Sequence, residues 1–490
     1  MKLSTLLFEL EYRIVQGSVD TEVTSVVCDT RAQIEKGACF VCISGTKFDS
    51  HDFAGAAAKA GASVIISEKD VEVQEGVTVI RVQNTRRALA LVSAAFLGNP
   101  SRKLKIVGIT GTKGKTTTAY MVRRILQAAG HKTDLVGTVE ITIGGESIAA
   151  SHTTPESYVL QDYLARMVKA GTEYVVMEVS SQGLKMDRVA GISFAAGIFT
   201  NLEPDHIAPG EHPDFADYLY CKSLLFRQCK VGIGNRDSEH FDEIFKNATC
   251  PVVSFGIEKA ADSVAKNIVL VNKKSELGVD FDIEYKGEKT HLYADIPGAF
   301  NAYNALAAFT CARELGISAE VAAEALKDIK ARGRVELVKV SDRFSVMLDY
   351  AHNGMSLKSL LTTLREYEPK RLVCMFGCGG NRAKDRRYDM GEVSSRYADL
   401  TVVTSDNPRF EEPMDIINDI LTGVKKADGE YVVVPDRREA VKWCLEHAKD
   451  GDMIVIAGKG HEDYQEIKGV KYPMDDRKMI LEAAHELNLC

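Results

Sequence analysis

A chain of 490 residues exceeds what one hydrophobic core organises and points to about three domains. With 45% hydrophobic and 27% charged residues it has the make-up of a globular protein, which excludes a fibrous or disordered one. A net charge of -8 excludes a broad basic face for nucleic acid, yet leaves room for a local positive pocket that takes an anion.

The N-terminal run Met1-Lys2-Leu3-Ser4-Thr5-Leu6-Leu7-Phe8 meets acid at Glu9, too early for a secretory leader. No apolar run nears the ~20 residues that span a bilayer, so a soluble cytoplasmic protein is expected. The 11 cysteines are odd in number and scattered, which predicts reduced core thiols. Cys39-Phe40-Val41-Cys42 has CxxC spacing, but in a strand positions three apart face opposite sides. Core packing is therefore expected there rather than a zinc pair.

Asn99-Pro100-Ser101-Arg102-Lys103 reads as a linker into a series of strands, turns and helices. Strands are expected at 105–110, 174–179, 195–200, 346–349, 372–376, 400–404 and 453–457. Such alternation predicts α/β domains with largely parallel sheets, whose ligands sit beyond the carboxyl ends of the strands. A second boundary falls near Ala331-Arg332-Gly333-Arg334, giving three domains at 1–100, 101–333 and 334–490. The central one is read as a phosphate-loop parallel-sheet domain, flanked by an N-terminal α/β domain and a C-terminal Rossmann-like domain.

Gly111-Thr112-Lys113-Gly114-Lys115-Thr116-Thr117 follows the 105–110 strand, and Ala119, Val122, Leu126 and Ala129 then recur at helical spacing up to Gly130. A glycine turn at a helix N-terminus brings N–H groups and the helix dipole to a phosphate. Lys115 would bridge the β- and γ-phosphates, and Thr116 would hold magnesium. Ile109 stands where the first glycine of the longer phosphate-loop pattern belongs, so the match is to the shorter GTxGKT form. A bare tight turn is the alternative; the strand before and the helix after favour nucleotide binding.

From this loop outward the chain resembles the Mur ligases, which add amino acids to the bacterial peptidoglycan precursor. His152-Thr153-Thr154-Pro155, Glu178-Val179-Ser180-Ser181, Thr200-Asn201-Leu202, Asp205-His206, Asp349-Tyr350-Ala351-His352 and Gly458-Lys459-Gly460-His461-Glu462 agree in order. The resemblance implies a cytoplasmic, monomeric, ATP-dependent ligase of cell-wall synthesis, hence of cell shape and division, that extends UDP-N-acetylmuramoyl-L-alanyl-D-glutamate through an acyl phosphate. It makes Glu178 and His206 magnesium ligands, with two ions expected, and Lys222 the lysine that becomes an N6-carboxylysine. Read without it, Glu178 could cap a helix through Ser180 or Ser181, and Lys222 would be an exposed helix lysine.

The resemblance also implies uridine-side contacts at Cys28 and Thr30, and a following loop at Thr46, Lys47 and Phe48. It puts Thr153, Thr154, Ser180 and Arg188 on the muramoyl dipeptide, and Asn301, Arg334 and Asp349 on ATP. Without it, Thr30 is a turn residue and Arg188 the partner of a surface acid. In the C-terminal part, Asp406-Asn407-Pro408-Arg409 resembles members that add meso-2,6-diaminopimelate. An arginine grips a distal carboxylate through paired N–H donors, and lysine has no such group. Arg382 offers a second guanidinium, while Gly458 and Glu462 would take the distal ammonium. Lysine and lanthionine stay open as acceptors, as does a folate-type glutamate. A non-catalytic nucleotide-sugar-binding protein would lack part of the set Lys115, Thr116, Glu178, His206 and Lys222, all of which are present.

Overall fold

The computed structural model describes residues 1–29, 31, 33–45, 48–208, 210–273, 276–329, 335–460 and 462–489. They form two compact units, Met1–Val264 with Leu306–Ala322, and Ala265–Ala305 with Ala323–Cys490. Thr30, Thr46, Lys47 and Arg334 lie outside the described residues.

In the first unit, the N-terminal segment builds a five-stranded sheet in the order Arg13–Gln16, Thr78–Arg81, Ala62–Ser67, Ala38–Val41 and Ser25–Val27. Only the Arg13–Gln16 edge runs antiparallel. Alternation along Ala38–Val41 sends Cys39 and Val41 into one core, and Phe40 into the other core together with Cys42 just beyond the strand. The two thiols therefore sit on opposite faces, as strand geometry requires. Burial pushes each up to about 12, so neither is a ready thiolate. The stretch expected as a linker is more ordered than that: Pro100–Lys103 is a 3-10 turn with Pro100 and Ser101 buried.

The larger sheet of this unit runs Val252–Gly256, Gly232–Asn235, Phe194–Phe199, Lys105–Thr110, Tyr174–Glu178 and Thr133–Val136, all parallel. Two antiparallel strands, Glu140–Ile143 and Glu146–Ala149, extend one edge. Lys105–Thr110 lies between Tyr174–Glu178 and Phe194–Phe199. The turns that follow all three strands therefore open on one end of the sheet.

The second unit holds a six-stranded sheet in the order Glu336–Val338, Ser345–Asp349, Asp452–Ala457, Arg371–Phe376, Leu400–Val403 and Tyr431–Val433, antiparallel only at the first pair. Period-2 alternation sends Leu372, Cys374 and Phe376 against helices Gly354–Arg365, Asp385–Tyr397 and Pro413–Val424. Val373 and Met375 meet the opposite layer, helices Arg437–Glu446 and Asp476–Glu486. An antiparallel hairpin, Glu276–Tyr285 with Glu288–Ala294, belongs to this unit. Tyr367 ties it down: its hydroxyl donates to Gly278 O at 3.0 Å and accepts from Gly298 N at 2.7 Å.

Candidate active site

The phosphate loop leaves Lys105–Thr110 and enters the helix Lys115–Ala128. Gly111, at φ +152, is obligatory, because a Cβ there would run into Thr200 Oγ1. Asn201 Oδ1 accepts Lys113 N at 2.9 Å, and Thr200 Oγ1 donates to Lys113 O at 2.7 Å, so the loop is pinned from the neighbouring strand. Gly130, at φ +87, closes the helix as the sequence suggests.

Two lysines converge on one carbonyl of this loop. Lys115 Nζ and Lys222 Nζ each donate to Gly111 O at 2.8 Å. Lys222 is not the exposed helix lysine that its local sequence suggests: it is 1% exposed and lies 4.5 Å from the centroid of the Tyr218 ring. Burial, and then the charge of Lys115, hold its amine well below the usual lysine range. The neutral amine is thereby favoured.

Glu178 ends its strand 1% exposed, with three donors on its carboxylate. Thr116 Oγ1 reaches Oε2 at 3.0 Å, Thr138 N reaches Oε1 at 2.9 Å, and Thr138 Oγ1 reaches Oε2 at 3.0 Å. A Cβ at Gly137 would stand 2.7 Å from Oε1, so glycine gives the carboxylate its space. Thr116 and Glu178 thus present hard oxygens side by side, the donor chemistry of magnesium. The helix cap next door belongs to Ser180 alone, whose Oγ accepts Gly183 N at 3.0 Å.

His206 has partners of its own, Asp205 and Glu211. Its ring is half exposed, faces Glu211 with Nδ1 3.2 Å from Oε2, and hangs on a left-handed backbone at φ +56. His212, Asp217 and Cys221 bring donor atoms within 4.8 Å of one another. Asp217 Oδ2, however, already takes His212 Nδ1 at 2.7 Å and Lys185 Nζ at 2.8 Å, while His212 Nε2 meets Ser181 Oγ at 2.9 Å. That cluster is an internal ion pair rather than an ion site.

Among the residues expected at the muramoyl dipeptide, Thr154 Oγ1 donates to Glu178 O and accepts Ser180 N, both at 3.0 Å. Thr153 Oγ1 lies 3.0 Å from Thr138 Oγ1, and Arg188 Nη1 donates to Thr154 O at 2.9 Å while pairing with Glu156. Four of the expected residues therefore gather around the end of the Glu178 strand. Cys28 is half-buried, its thiol raised to about 11 by burial, Glu156 and Asp29. Phe48 is exposed.

Asn301 and Asp349 belong to the second unit. Asn301 is buried and spends both ends of its amide internally, on Pro297 O and Asn304 Nδ2, each at 2.7 Å. Asp349 accepts Val335 N at 2.9 Å and Ala351 N at 2.7 Å.

In the same unit, the candidate amino-acid residues all follow carboxyl ends of parallel strands. Asn407 is the hub: Nδ2 donates to Glu462 Oε2 at 2.9 Å, and Oδ1 accepts Glu466 N at 2.9 Å and Lys459 Nζ at 3.2 Å. Asp406 lies 3.7 Å from the same Lys459 Nζ, and Gly458 carries φ +106 where a Cβ would stand 3.1 Å from Asp406 Oδ2. Pro408 presses on Gly380, where any side chain would collide with its carbonyl. Arg409 adopts a left-handed backbone at φ +52, with N donating to Glu466 O at 2.9 Å. Its Nε reaches Glu466 Oε2 at 3.1 Å and its Nη1 reaches Gly380 O at 2.7 Å. Arg382 is solvent exposed on the adjoining loop.

Several residues here escape sequence reasoning. Lys459, fully buried, carries the positive charge between Asp406, Asn407 and Glu462; its place inside the Gly458-to-Glu462 motif is the one signal for it. Arg387, 1% exposed, ties Glu411 at 2.7 Å and Asp419 at 2.8 Å, so it props the 408–412 loop from below. Thr138 and Glu466 sit in no motif of their own.

Comparison with known proteins adds an independent line. Residues 22–97 match "Mur ligase family, catalytic domain", 109–312 match "Mur ligase middle domain" and 333–460 match "Mur ligase, glutamate ligase domain". A UDP-N-acetylmuramoyl-L-alanyl-D-glutamate--2,6-diaminopimelate ligase of Clostridium perfringens (strain 13 / Type A) is 42% identical over 487 residues, spanning 98% of this chain and 99% of that protein. A ligase of the same name, numbered 1, from Clostridium acetobutylicum is 40% identical across 99% of this chain and 100% of its own. A solved structure of a UDP-N-acetylmuramoyl-L-alanyl-D-glutamate--2,6-diaminopimelate ligase aligns with a TM-score of 0.74 at 27% identity, covering 100% of this chain and 99% of that one.

Proposed function

The chain belongs to the Mur ligase family, and from that premise we propose that it joins meso-2,6-diaminopimelate to UDP-N-acetylmuramoyl-L-alanyl-D-glutamate with ATP as the energy source. A carboxylate does not condense with an amine in water. The glutamyl carboxylate therefore attacks the γ-phosphorus of ATP and becomes an acyl phosphate as the β,γ-anhydride bond breaks and ADP leaves. The free amine attacks it, and the tetrahedral intermediate expels phosphate.

The observation that carries this reading is the meeting of Thr116 with Glu178 beside two lysines on Gly111 O. The N–H groups of the loop and Lys115 hold the β- and γ-phosphates, which requires Lys115 to leave the loop carbonyls it now caps. Thr116 and Glu178, joined by His206, would hold magnesium, and the carbamate of Lys222 would lie near the second ion. His206 would first have to turn from Glu211. When bound, such an ion neutralises phosphate charge. A neutral amine at Lys222 is the form that adds carbon dioxide, releasing a proton as the N6-carboxylysine forms.

Arg188, Ser180, Thr153 and Thr154 orient the muramoyl dipeptide, and Cys28, Thr30, Thr46, Lys47 and Phe48 the uridine end. Asn301, Arg334 and Asp349 serve ATP. Arg409, Arg382, Asp406, Asn407, Pro408, Gly458 and Glu462 select the acceptor. The proposal carries with it the division 1–100, 101–333 and 334–490, and action as a cytoplasmic monomer in cell-wall growth and division.

The test is phosphate release from ATP with the UDP-muramoyl dipeptide and, in turn, meso-diaminopimelate, lysine and lanthionine. Diaminopimelate is expected to give the highest kcat/KM. Turnover with lysine or lanthionine equal to or above it would overturn the acceptor assignment. Full activity in Lys115→Ala would overturn the phosphate-loop chemistry.

A further inference from the structure

Three segments carry the side chains expected to meet magnesium: the end of the Tyr174–Glu178 strand, the loop with His206, and the helix Phe215–Ser223 with Lys222. His212 lies where the three come together, and it is fully buried. Its Nδ1 stands 2.7 Å from Asp217 Oδ2 and its Nε2 stands 2.9 Å from Ser181 Oγ. Asp217 also pairs with Lys185 Nζ at 2.8 Å. A carboxylate only accepts, so His212 Nδ1 carries the proton and Nε2 is left to pair with the hydroxyl.

Each bond of this residue reaches a different segment. Ser181 opens the short helix Ser181–Lys185, just past Glu178. Asp217 lies in the first turn of the helix that carries Lys222. The backbone N of His212 donates to His206 O at 3.1 Å. Its ring also meets Tyr218 edge-on, with centroids 5.2 Å apart, and Lys222 Nζ lies 4.5 Å from the centroid of that same tyrosine. Lys185 Nζ adds a bond to Glu211 O at 3.0 Å, which fastens the residue before His212 to the Ser181–Lys185 helix. An apolar side chain of similar size would fill the space without needing partners, so packing alone does not call for an imidazole.

We propose that His212 is a positioning residue for the metal-binding set: it holds the Glu178 strand end, the His206 loop and the Lys222 helix at one spacing, so that their donor atoms face the same ions. The inference rests on the ligand reading given above.

The experiment titrates Mn2+ into the nucleotide-free protein and follows the free ion by electron paramagnetic resonance. It compares wild type, Glu178→Gln, Ser181→Ala and His212→Asn, with the metal-free thermal midpoint read beside each. Asparagine at 212 keeps an N–H for Asp217 but falls short of Ser181, so it cuts from one side the link that Ser181→Ala cuts from the other. Both are expected to bind Mn2+ about tenfold more weakly than wild type, the lower end of what the orienting partners of metal ligands contribute. Ser181→Ala removes a single hydroxyl and carries the test on its own where His212→Asn fails to fold. Mn2+ affinity equal to wild type in folded Ser181→Ala overturns the proposal, whatever the thermal midpoint does, because the link would then serve the fold alone. Glu178→Gln is expected to lose affinity as a ligand variant; affinity equal to wild type there overturns the ligand reading itself, and this inference with it.

Discussion

A buried carboxylate with three donors on it is sensitive to a change of one atom. Glu178→Gln puts an amide N–H where Thr138 N or the threonine hydroxyls now donate, leaving like groups facing one another in a dry site. Stability is expected to drop by roughly 1–3 kcal/mol in urea unfolding, with phosphate release falling more than about a hundredfold. Thr116 follows from the local pattern of a phosphate loop, whereas Glu178, which could locally have capped a helix, is singled out only by the resemblance. Thr138 follows from neither, since its role exists only once a strand 40 residues later arrives beside it. The same holds for Lys222, whose neighbourhood reads as a surface helix and whose burial comes from Tyr218 and a loop 111 residues away. For His206, nothing local foretells the turn of its ring toward Glu211.

At the scale of elements, strand cores follow closely from apolar runs: Lys105–Thr110 has the expected bounds, Phe194–Phe199 is shifted by one residue, and the others differ by a residue at one end. What the runs do not reveal is how loops at strand ends are propped. Arg387, on the helix Asp385–Tyr397, holds the Glu411 carboxyl down at about 2, against its ordinary 4.5. A carboxyl lowered in the folded state adds stability that is complete above 4.5 and is lost as pH falls toward 2. Arg387→Met should therefore lower the thermal midpoint at neutral pH and flatten its fall between those two pH values. A midpoint that falls across this window as steeply as in wild type would show that the pair contributes nothing. The variant should also raise the acceptor KM, because the 408–412 loop loses its prop.

For the molecule as a whole, chain order and packing part company. The hairpin of Glu276–Tyr285 and Glu288–Ala294 falls within the stretch matching the family's middle domain, yet Leu277 sits in the core built around Gly354–Arg365 and its sheet. Side-chain periodicity carries no information about such a choice, which Tyr367 makes through its hydroxyl. The last helix, Asp476–Glu486, is tied to its unit by Asp476 and Arg437, both fully buried at 2.7 Å, with Arg437 also donating to Ser405 O and Ala457 O. Asp476→Ala strands that guanidinium, and the urea midpoint should show a loss of about 3–5 kcal/mol. The left-handed backbone of Arg409 has a different consequence. Only glycine occupies that conformation without cost, and a bulkier residue there costs on the order of 1 kcal/mol. Arg409→Gly would relax the main chain while discarding a part-exposed ion pair of similar small worth, leaving the thermal midpoint nearly unmoved and the acceptor unbound. A mutant library sorted on yield or heat tolerance alone would pass such clones freely, so laboratory evolution of this protein keeps its specificity only when the incoming amino acid is part of the screen.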